Sequence, residues 1–307
     1  MATIGELLPS AIERLRTSGS ESPRLDAELL LAHALHVERT TLLAHPEANV
    51  GPEAAARFDD HVRRRAAGEP VAYLRGFKEF HGVAFAVDAR ALIPRPETEL
   101  LVDLALAEIA DRLVRAPRPP GTPPLALADV GTGSGAIAVA LAVALRGRGM
   151  LGEVEIVASD VAEEAVQLAR ENAVGHGVGD RVAVADADLL PPGGSGAGLL
   201  VVRDRFDVIC ANLPYVPSEV VPTLPVAASF EPRDALDGGP DGLDVIRRLL
   251  DVLPERVVPG GAVFLEIGSD QAAAILEAIT DCLPGWDARV EADLSGRPRA
   301  AVLGAPG

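Results

Sequence analysis

The sequence predicts an α/β protein: a mostly parallel sheet covered by helices, preceded by a small helical region and a β-hairpin. Three observations predict it. From Leu125 onward, short apolar runs alternate with helical patterns, and that alternation builds a mostly parallel sheet. A glycine-rich turn, Asp129-Val130-Gly131-Thr132-Gly133-Ser134-Gly135, lies between the first such run and the helix after it. Sheets of this kind bind ligands outside the carboxyl ends of their strands. The first 75 residues, in contrast, carry their apolar residues at helical spacing.

In that first part, residues 1–75, Ile4, Leu7, Leu8, Ile12 and Leu15 recur on one helical face. Pro9 falls inside the pattern and argues against one unbroken helix, because its ring removes a backbone donor. Ser22-Pro23 predicts a helix start, with a hydroxyl cap followed by Pro at the first helical position. Leu25, Leu29, Leu30 and Leu35 furnish the apolar residues of that helix. A third helix is expected from Pro52 to Ala67, with Gly68 as its stop. His33, His36, His45 and His61 are scattered and read as structural or surface groups. The region therefore reads as a helical bundle for recognition or packing.

Residues 76–95 form the expected linker. Phe77 and Phe80, then Val83, Phe85 and Val87, flank the turn-like His81-Gly82, which predicts a β-hairpin. The third part is residues 96–307. A helix is expected to run to Leu113, and Pro117 to Pro124 reads as an exposed loop. Strands are predicted at 125–130, 154–159, 181–185, 206–211, 262–267, 286–291 and 299–303. Helices are predicted at 134–146, 162–175, 242–253 and 270–281, and Pro191 to Gly198 as a flexible excursion.

With 48% hydrophobic residues, the 307-residue chain can bury a substantial core. Its net charge of −17 gives no general attraction to nucleic acid, whose binding rests on Lys and Arg contacts to phosphate. The one tight basic cluster, Arg63, Arg64 and Arg65, reads as a solvated helix face. Cys210 and Cys282 suit a reducing compartment and offer neither a disulfide framework nor metal spacing, so no metal is expected. No signal peptide and no membrane-spanning stretch is read, which points to the cytoplasm. A monomer is expected.

The glycine turn suits a nucleotide-like cofactor, because absent side chains allow a sharp turn and a close approach. Its spacing is not the GxGxxG of dinucleotide sites, and the acidic Asp129 precedes the first glycine by two positions. Both details favour S-adenosylmethionine, with Asp129, Gly131, Thr132, Gly133, Ser134 and Gly135 as cofactor residues. Asp160, at the end of the second strand, is placed to accept the ribose hydroxyls, although it also suits a helix cap. After the third strand, Asp188 is expected at the exocyclic amine of the adenine and Leu189 against its ring.

Asn212-Leu213-Pro214-Tyr215 closes the fourth strand, beside the cofactor in this topology. Such a segment can hold a planar NH₂ group. Asn212 accepts one hydrogen bond through its side-chain oxygen, and the carbonyl of Leu213 accepts the other. Tyr215 covers the flat face. These residues therefore predict a methyltransferase acting on nitrogen, with Asn212 and Tyr215 as catalytic residues, Asn212 to Tyr215 as the substrate site, and Asn212 also facing the cofactor. No general base is required, since the amide can lose its proton after methyl transfer.

At these residues the sequence resembles the release factor glutamine methyltransferases, the HemK/PrmC family. The resemblance extends over nearly the whole chain. It includes Ser22-Pro23-Arg24-Leu25-Asp26-Ala27-Glu28-Leu29-Leu30, Lys78-Glu79-Phe80, and Leu92-Ile93-Pro94-Arg95-Pro96-Glu97-Thr98-Glu99. Beyond the glycine loop and Asn212 to Tyr215, it includes Phe230-Glu231-Pro232, Ala235-Leu236 and Leu294-Ser295-Gly296-Arg297-Pro298-Arg299. The resemblance implies a seven-stranded, Rossmann-like class I methyltransferase sheet whose last strand is antiparallel. It implies S-adenosylmethionine as methyl donor, and as acceptor the glutamine N5 of the Gly-Gly-Gln motif in class I peptide chain release factors. The helical region would help grip that protein partner. Arg95 and Glu231 are candidates for shaping the pocket or for a structural ion pair. Leu213 departs from the Pro usual at its position but retains the carbonyl, and the aromatic that some members carry near Leu189 is absent here. Two other readings share parts of the pattern: a nucleic-acid amino-methyltransferase acting on adenine or guanine, and a cofactor-binding module without turnover.

Overall fold

The computed structural model describes residues 2–115, 121–194, 196–197 and 200–307. The chain divides into two compact units, one of Met1–Lys78 with Leu224–Phe230 and one of Glu79–Thr223 with Glu231–Gly307.

The first unit holds α1 (Ile4–Thr17), α2 (Pro23–Leu35), α3 (Arg39–Ala44), α4 (Pro52–Ala66) and α5 (Val71–Arg75). Leu15, Leu30, Leu31, Leu42, Phe58 and Val62 form its core. Pro9 lies inside an unbroken α1, contrary to its reading as a break. Burial of Ile4, Ala11 and Leu15 on either side of it holds the helix together. Ser22 stands at the start of α2, with Pro23 at the first helical position, but its hydroxyl makes no backbone cap. It donates instead to Asp26 Oδ1 at 2.8 Å. Ser20 Oγ and Arg65 Nε donate to Oδ2 of the same carboxylate, at 2.8 and 2.7 Å. A buried carboxylate needs such donors.

A hairpin of β1 (Phe77–Phe80) and β2 (Val83–Ala86) follows, turned by His81-Gly82, and the division between the units falls within β1. In the second unit, α6 (Glu99–Arg115) leads to β3 (Leu125–Val130), α7 (Ala136–Gly147), β4 (Val154–Asp160), α8 (Glu163–Gly175) and β5 (Val182–Asp186). A short antiparallel pair follows: β6 (Gly196–Ala197) lies in the predicted excursion 191–198, of which residues 195 and 198 are outside the described residues, and β7 (Leu200–Val201) lies just beyond it. The predicted loop 117–124 is likewise described only from residue 121. β8 (Phe206–Ala211), α9 (Asp244–Arg256), β9 (Val257–Glu266), α10 (Ala272–Cys282), β10 (Asp287–Ala292) and β11 (Pro298–Gly304) complete the unit.

The seven-stranded sheet runs β10-β11-β9-β8-β3-β4-β5. β9, β8, β3, β4 and β5 pair in parallel, and the last strand, β11, is antiparallel to both neighbours. Alternate residues of the central strands, among them Ala128, Val130, Ile209, Ala211, Val263 and Leu265, join α9 and α10 in one core. α6, α7 and α8 pack on strands of the same sheet. The strand order reverses at β3, whose neighbours β4 and β8 lead opposite ways across the sheet. Ligand crevices form at such a reversal.

Candidate active site

The glycine turn leaves β3 at this reversal. Gly131, Gly133 and Gly135 take φ of +69°, +54° and +81°, a region costly to residues with a side chain. Space adds a second reason at two of them. A Cβ on Gly131 would stand 2.9 Å from Leu213 Cδ2, and one on Gly135 would stand 3.2 Å from Ala169 Cα. The turn is also bonded from beneath. Thr132 N–H donates to the Ser159 carbonyl at 2.9 Å, and Asp129 Oδ2 accepts from Thr132 Oγ1 at 2.6 Å and from Ala138 N–H at 3.1 Å. Asp129 thus ties the turn to the first turn of α7. Its side chain is fully buried, its pKa is raised to about 6 chiefly by that burial, and it does not line the cavity. Its place is behind the turn, whereas the sequence reading set it among the cofactor contacts.

The cavity in front of the turn is about 430 Å³. Ligand sites of roughly 300 to 1,000 Å³ are usual. Gly131 to Ser134 form one wall, Asp160 and Asp188-Leu189 another, and Asn212-Leu213-Pro214 a third. Asp160 Oδ2 accepts from Gly133 N–H at 2.8 Å, and Oδ1 from Ala162 N–H at 3.0 Å. It therefore bridges the glycine turn and the entry to α8, and each oxygen keeps a lone pair for a ligand hydroxyl. Asp188 pairs with Arg248, Nη2 to Oδ2 at 2.5 Å, so its charge is already met by a cation at the cavity wall. Leu189 has φ +66°, and its carbonyl accepts from Ser159 Oγ at 2.5 Å.

Asn212, Leu213 and Pro214 line the cavity; Tyr215 does not. Tyr215 packs against the core, and its hydroxyl donates to Glu266 Oε1 at 3.2 Å. Burial first, and the Glu266 charge second, push its pKa up. Tyr215 thus stands behind the segment and covers no face of the cavity. Leu213 is 5% exposed and fills the space against Gly131. Asn212 Nδ2 donates to Thr98 Oγ1 at 3.1 Å.

Four supporting residues escaped the sequence reading. Thr98 lines the cavity and is buried; its only signal is its place in the Pro-Glu-Thr-Glu stretch. Asn172, inside α8, donates to the carbonyls of Ser134 at 2.8 Å and Ala86 at 3.0 Å, joining the glycine turn to β2. Gln271 donates to the Tyr215 carbonyl at 2.9 Å. Glu266, at the end of β9, carries no sequence signal beyond being an acidic residue after an apolar run. Arg95 and Glu231 form an ion pair at 2.5 Å, and the other Glu231 oxygen accepts from Ile93 N–H at 3.0 Å. The pair holds the segment whose Pro94 lines the cavity.

These residues fit S-adenosylmethionine on structural grounds: a glycine turn at positive φ whose residues 131 to 134 line the cavity, a carboxylate at the end of β4, and mostly apolar walls. Among the described residues, no cluster of His, Cys, Asp or Glu could hold a metal ion.

Residues 6–76 match the family model of the PrmC N-terminal domain, and residues 117–218 match that of the ribosomal protein L11 methyltransferase (PrmA). The chain is 39% identical to the release factor glutamine methyltransferase of Moorella thermoacetica over 97% of this chain and 96% of that protein. It is 40% identical to the enzyme of the same name from Deinococcus radiodurans, over 96% and 95%. A solved structure of the hMettl16 catalytic domain, with a MAT2A 3'UTR hairpin, superposes with a TM-score of 0.51 at 14% identity, covering 82% of this chain and 81% of that one. That likeness shows the fold.

Proposed function

The chain belongs to the release factor glutamine methyltransferases, and from that premise we propose that it transfers a methyl group from S-adenosylmethionine to the side-chain N5 of glutamine in the Gly-Gly-Gln motif of class I peptide chain release factors. The observation that carries the reading is the meeting of two segments. Leu213 sits against Gly131, which sets Asn212 and the Leu213 carbonyl beside the glycine cradle.

When bound, S-adenosylmethionine supplies an electrophilic methyl group on a sulfonium. The protein's task is to place a poor nucleophile in line with it. An amide nitrogen has a delocalised lone pair, so orientation carries much of the catalysis, and fixing it can supply several kcal/mol. Asn212 Oδ1 and the Leu213 carbonyl accept the two N–H bonds and turn the nitrogen toward the donor. Gly131 to Ser134 admit the cofactor closely, while Gly135, read from the sequence as a further contact, packs against Ala169 instead; Asp160 receives the ribose hydroxyls, and Asp188 with Leu189 borders the adenine. Asp129 and Tyr215 support the two segments from behind. After transfer the nitrogen is strongly acidic and releases its proton without a dedicated base.

In the same proposal residues 1–75 grip the release factor, residues 76–95 link them to the methyltransferase part at 96–307, and the protein works as a cytoplasmic monomer. Among the described residues no helix is long and apolar enough to cross a membrane.

Methyl transfer from labelled S-adenosylmethionine to a purified class I release factor tests the proposal, beside a Gly-Gly-Gln→Gly-Gly-Ala control. Label is expected on the first alone. Asn212→Ala is expected to abolish transfer while cofactor affinity persists. Label on the control, or full activity in Asn212→Ala, would refute the acceptor or the site.

A further inference from the structure

We propose that Asn172 is a positioning residue for the cofactor: acting through the Ser134 peptide, it holds the glycine turn in the open form that lines the cavity. The proposal rests on the reading of that turn as the S-adenosylmethionine cradle.

Asn172 lies within α8, where asparagine is a weak helix former, and it is 4% exposed. An aliphatic side chain would serve packing alone. Ala165, Ala169 and Asn172 fall on one face of the helix, at i, i+4 and i+7. The two alanines let the turn come close: Ala165 lines the cavity, and Ala169 is the neighbour that a Cβ on Gly135 would meet. At that approach Asn172 Nδ2 donates to the Ser134 carbonyl at 2.8 Å. Its second hydrogen goes to the Ala86 carbonyl at 3.0 Å, and Oδ1 accepts from Ala86 N–H at 2.8 Å. A carbonyl only accepts and a backbone N–H only donates, so the amide has one orientation, with both of its hydrogens in use.

The Ser134 carbonyl has a rival partner. In a continuous helix it would accept from the N–H four residues on, that of Ala138. Ala138 N–H goes instead to Asp129 Oδ2 at 3.1 Å. Asp129 thus takes the donor of this missing helical bond, and Asn172 satisfies the acceptor. The two buried side chains keep the turn from winding onto the start of α7, while Gly135 N–H stays on the Thr132 carbonyl at 2.8 Å. Without Asn172 the Ser134 carbonyl is left buried and unpaired, a costly state that closure onto Ala138 relieves. Ser134 lines the cavity, so that closure moves the wall on which the cofactor lies.

Asn172 also fastens β2, and His176 separates the two tasks. His176 Nε2 donates to the Ala84 carbonyl at 2.8 Å, and its ring packs on Phe85 at 5.5 Å between centroids. It clasps the same strand and, among the described residues, bonds no residue of the glycine turn.

The test uses the full chain and the variants Asn172→Leu, Asn172→Asp and His176→Leu. Calorimetric titration with S-adenosylhomocysteine should show about tenfold weaker binding in Asn172→Leu, the worth of one hydrogen bond. Asn172→Asp keeps the acceptor for Ala86 N–H but sets carboxylate oxygen against two carbonyls, and should lose at least as much. His176→Leu should bind as the parent does. In turnover the loss should appear in the KM for S-adenosylmethionine, with the KM for the release factor unchanged. A second readout needs no ligand. Amide hydrogen exchange over residues 131–138 should quicken in both Asn172 variants and keep the parent rate in His176→Leu, with β8 unchanged in all three as the check on folding. Parent affinity in both Asn172 variants, or an equal loss in His176→Leu, overturns the proposal. If the unaltered protein binds no S-adenosylhomocysteine, the cofactor reading fails, while the exchange rates still decide whether Asn172 holds the turn.

Discussion

Asp129 carries its carboxylate where water does not reach it, and that has a consequence for stability. Burial raises its pKa from the usual 3.8 to about 6, against the pull of the Thr132 and Ala138 donors. The folded protein therefore holds this proton more tightly than the unfolded chain. Stability from this group is complete below pH 3.8 and is lost as pH rises through about 6. The full effect is roughly 3 kcal/mol. Asp129→Asn keeps an acceptor for the turn and removes the titration. Urea unfolding from pH 4 to 7 should show the variant gaining stability relative to the parent as pH rises. A constant difference across that range would mean that Asp129 does not titrate as described. Leu213 belongs to the same scale: its side chain is held by its contact with Gly131.

The joint between α7 and α8 is set by backbone approach. Gly135 stands at the N-terminus of α7 with φ +81°, and a Cβ there would lie 3.1 Å from Ala169 Cβ and 3.2 Å from Ala169 Cα. Gly133 shares the positive φ, but its nearest neighbour, Ala91 Cβ, would be 3.8 Å away. Gly133→Ala should therefore pay only backbone strain, about 1 kcal/mol. Gly135→Ala adds a clash with backbone that cannot rotate away, bringing the loss to about 2 to 3 kcal/mol. Equilibrium unfolding of the two variants decides this; equal losses would show that α8 gives way. The hairpin is fastened by similar means, since Asn172 donates to Ala86 and Ser134 and accepts from Ala86 N–H at 2.8 Å.

At the scale of the whole molecule, charge separates the proposed protein substrate from a nucleic acid. The chain carries −17, and its tight basic cluster is neutralised. Arg63 pairs with Asp60, Arg64 with Glu69 at 2.5 Å and Arg65 with Asp26 at 2.7 Å. Filter binding to single- and double-stranded RNA at low salt should find no retention. Binding that falls steeply with salt would instead reveal phosphate contacts and favour the nucleobase reading.

Much of this was legible in the amino-acid order. β3 and β8 begin and end at the residues expected, because each apolar run is closed by a turn signal, Gly131 or Asn212-Leu213-Pro214. The cavity-lining parts of the glycine turn, Asp160, Asp188, Leu189 and Asn212 to Pro214 were named from the same signals. β9 begins at Val257, five residues before its predicted start, because Val257 pairs with Phe206; Pro259-Gly260-Gly261 falls in a register shift, and pairing resumes at Ala262. Tyr215 and Asp129 face away from the cavity, Asp188 is met by Arg248, Thr98 joins Asn212 across 114 positions of chain, and Glu266 meets Tyr215 across 51. Local order determines where strands, turns and their chemistry lie, because periodicity and turn propensity act over a few residues. Which way a side chain faces, and which distant partner orients it, is decided only when the sheet closes, because burial and hydrogen bonding depend on neighbours that the sequence does not place together.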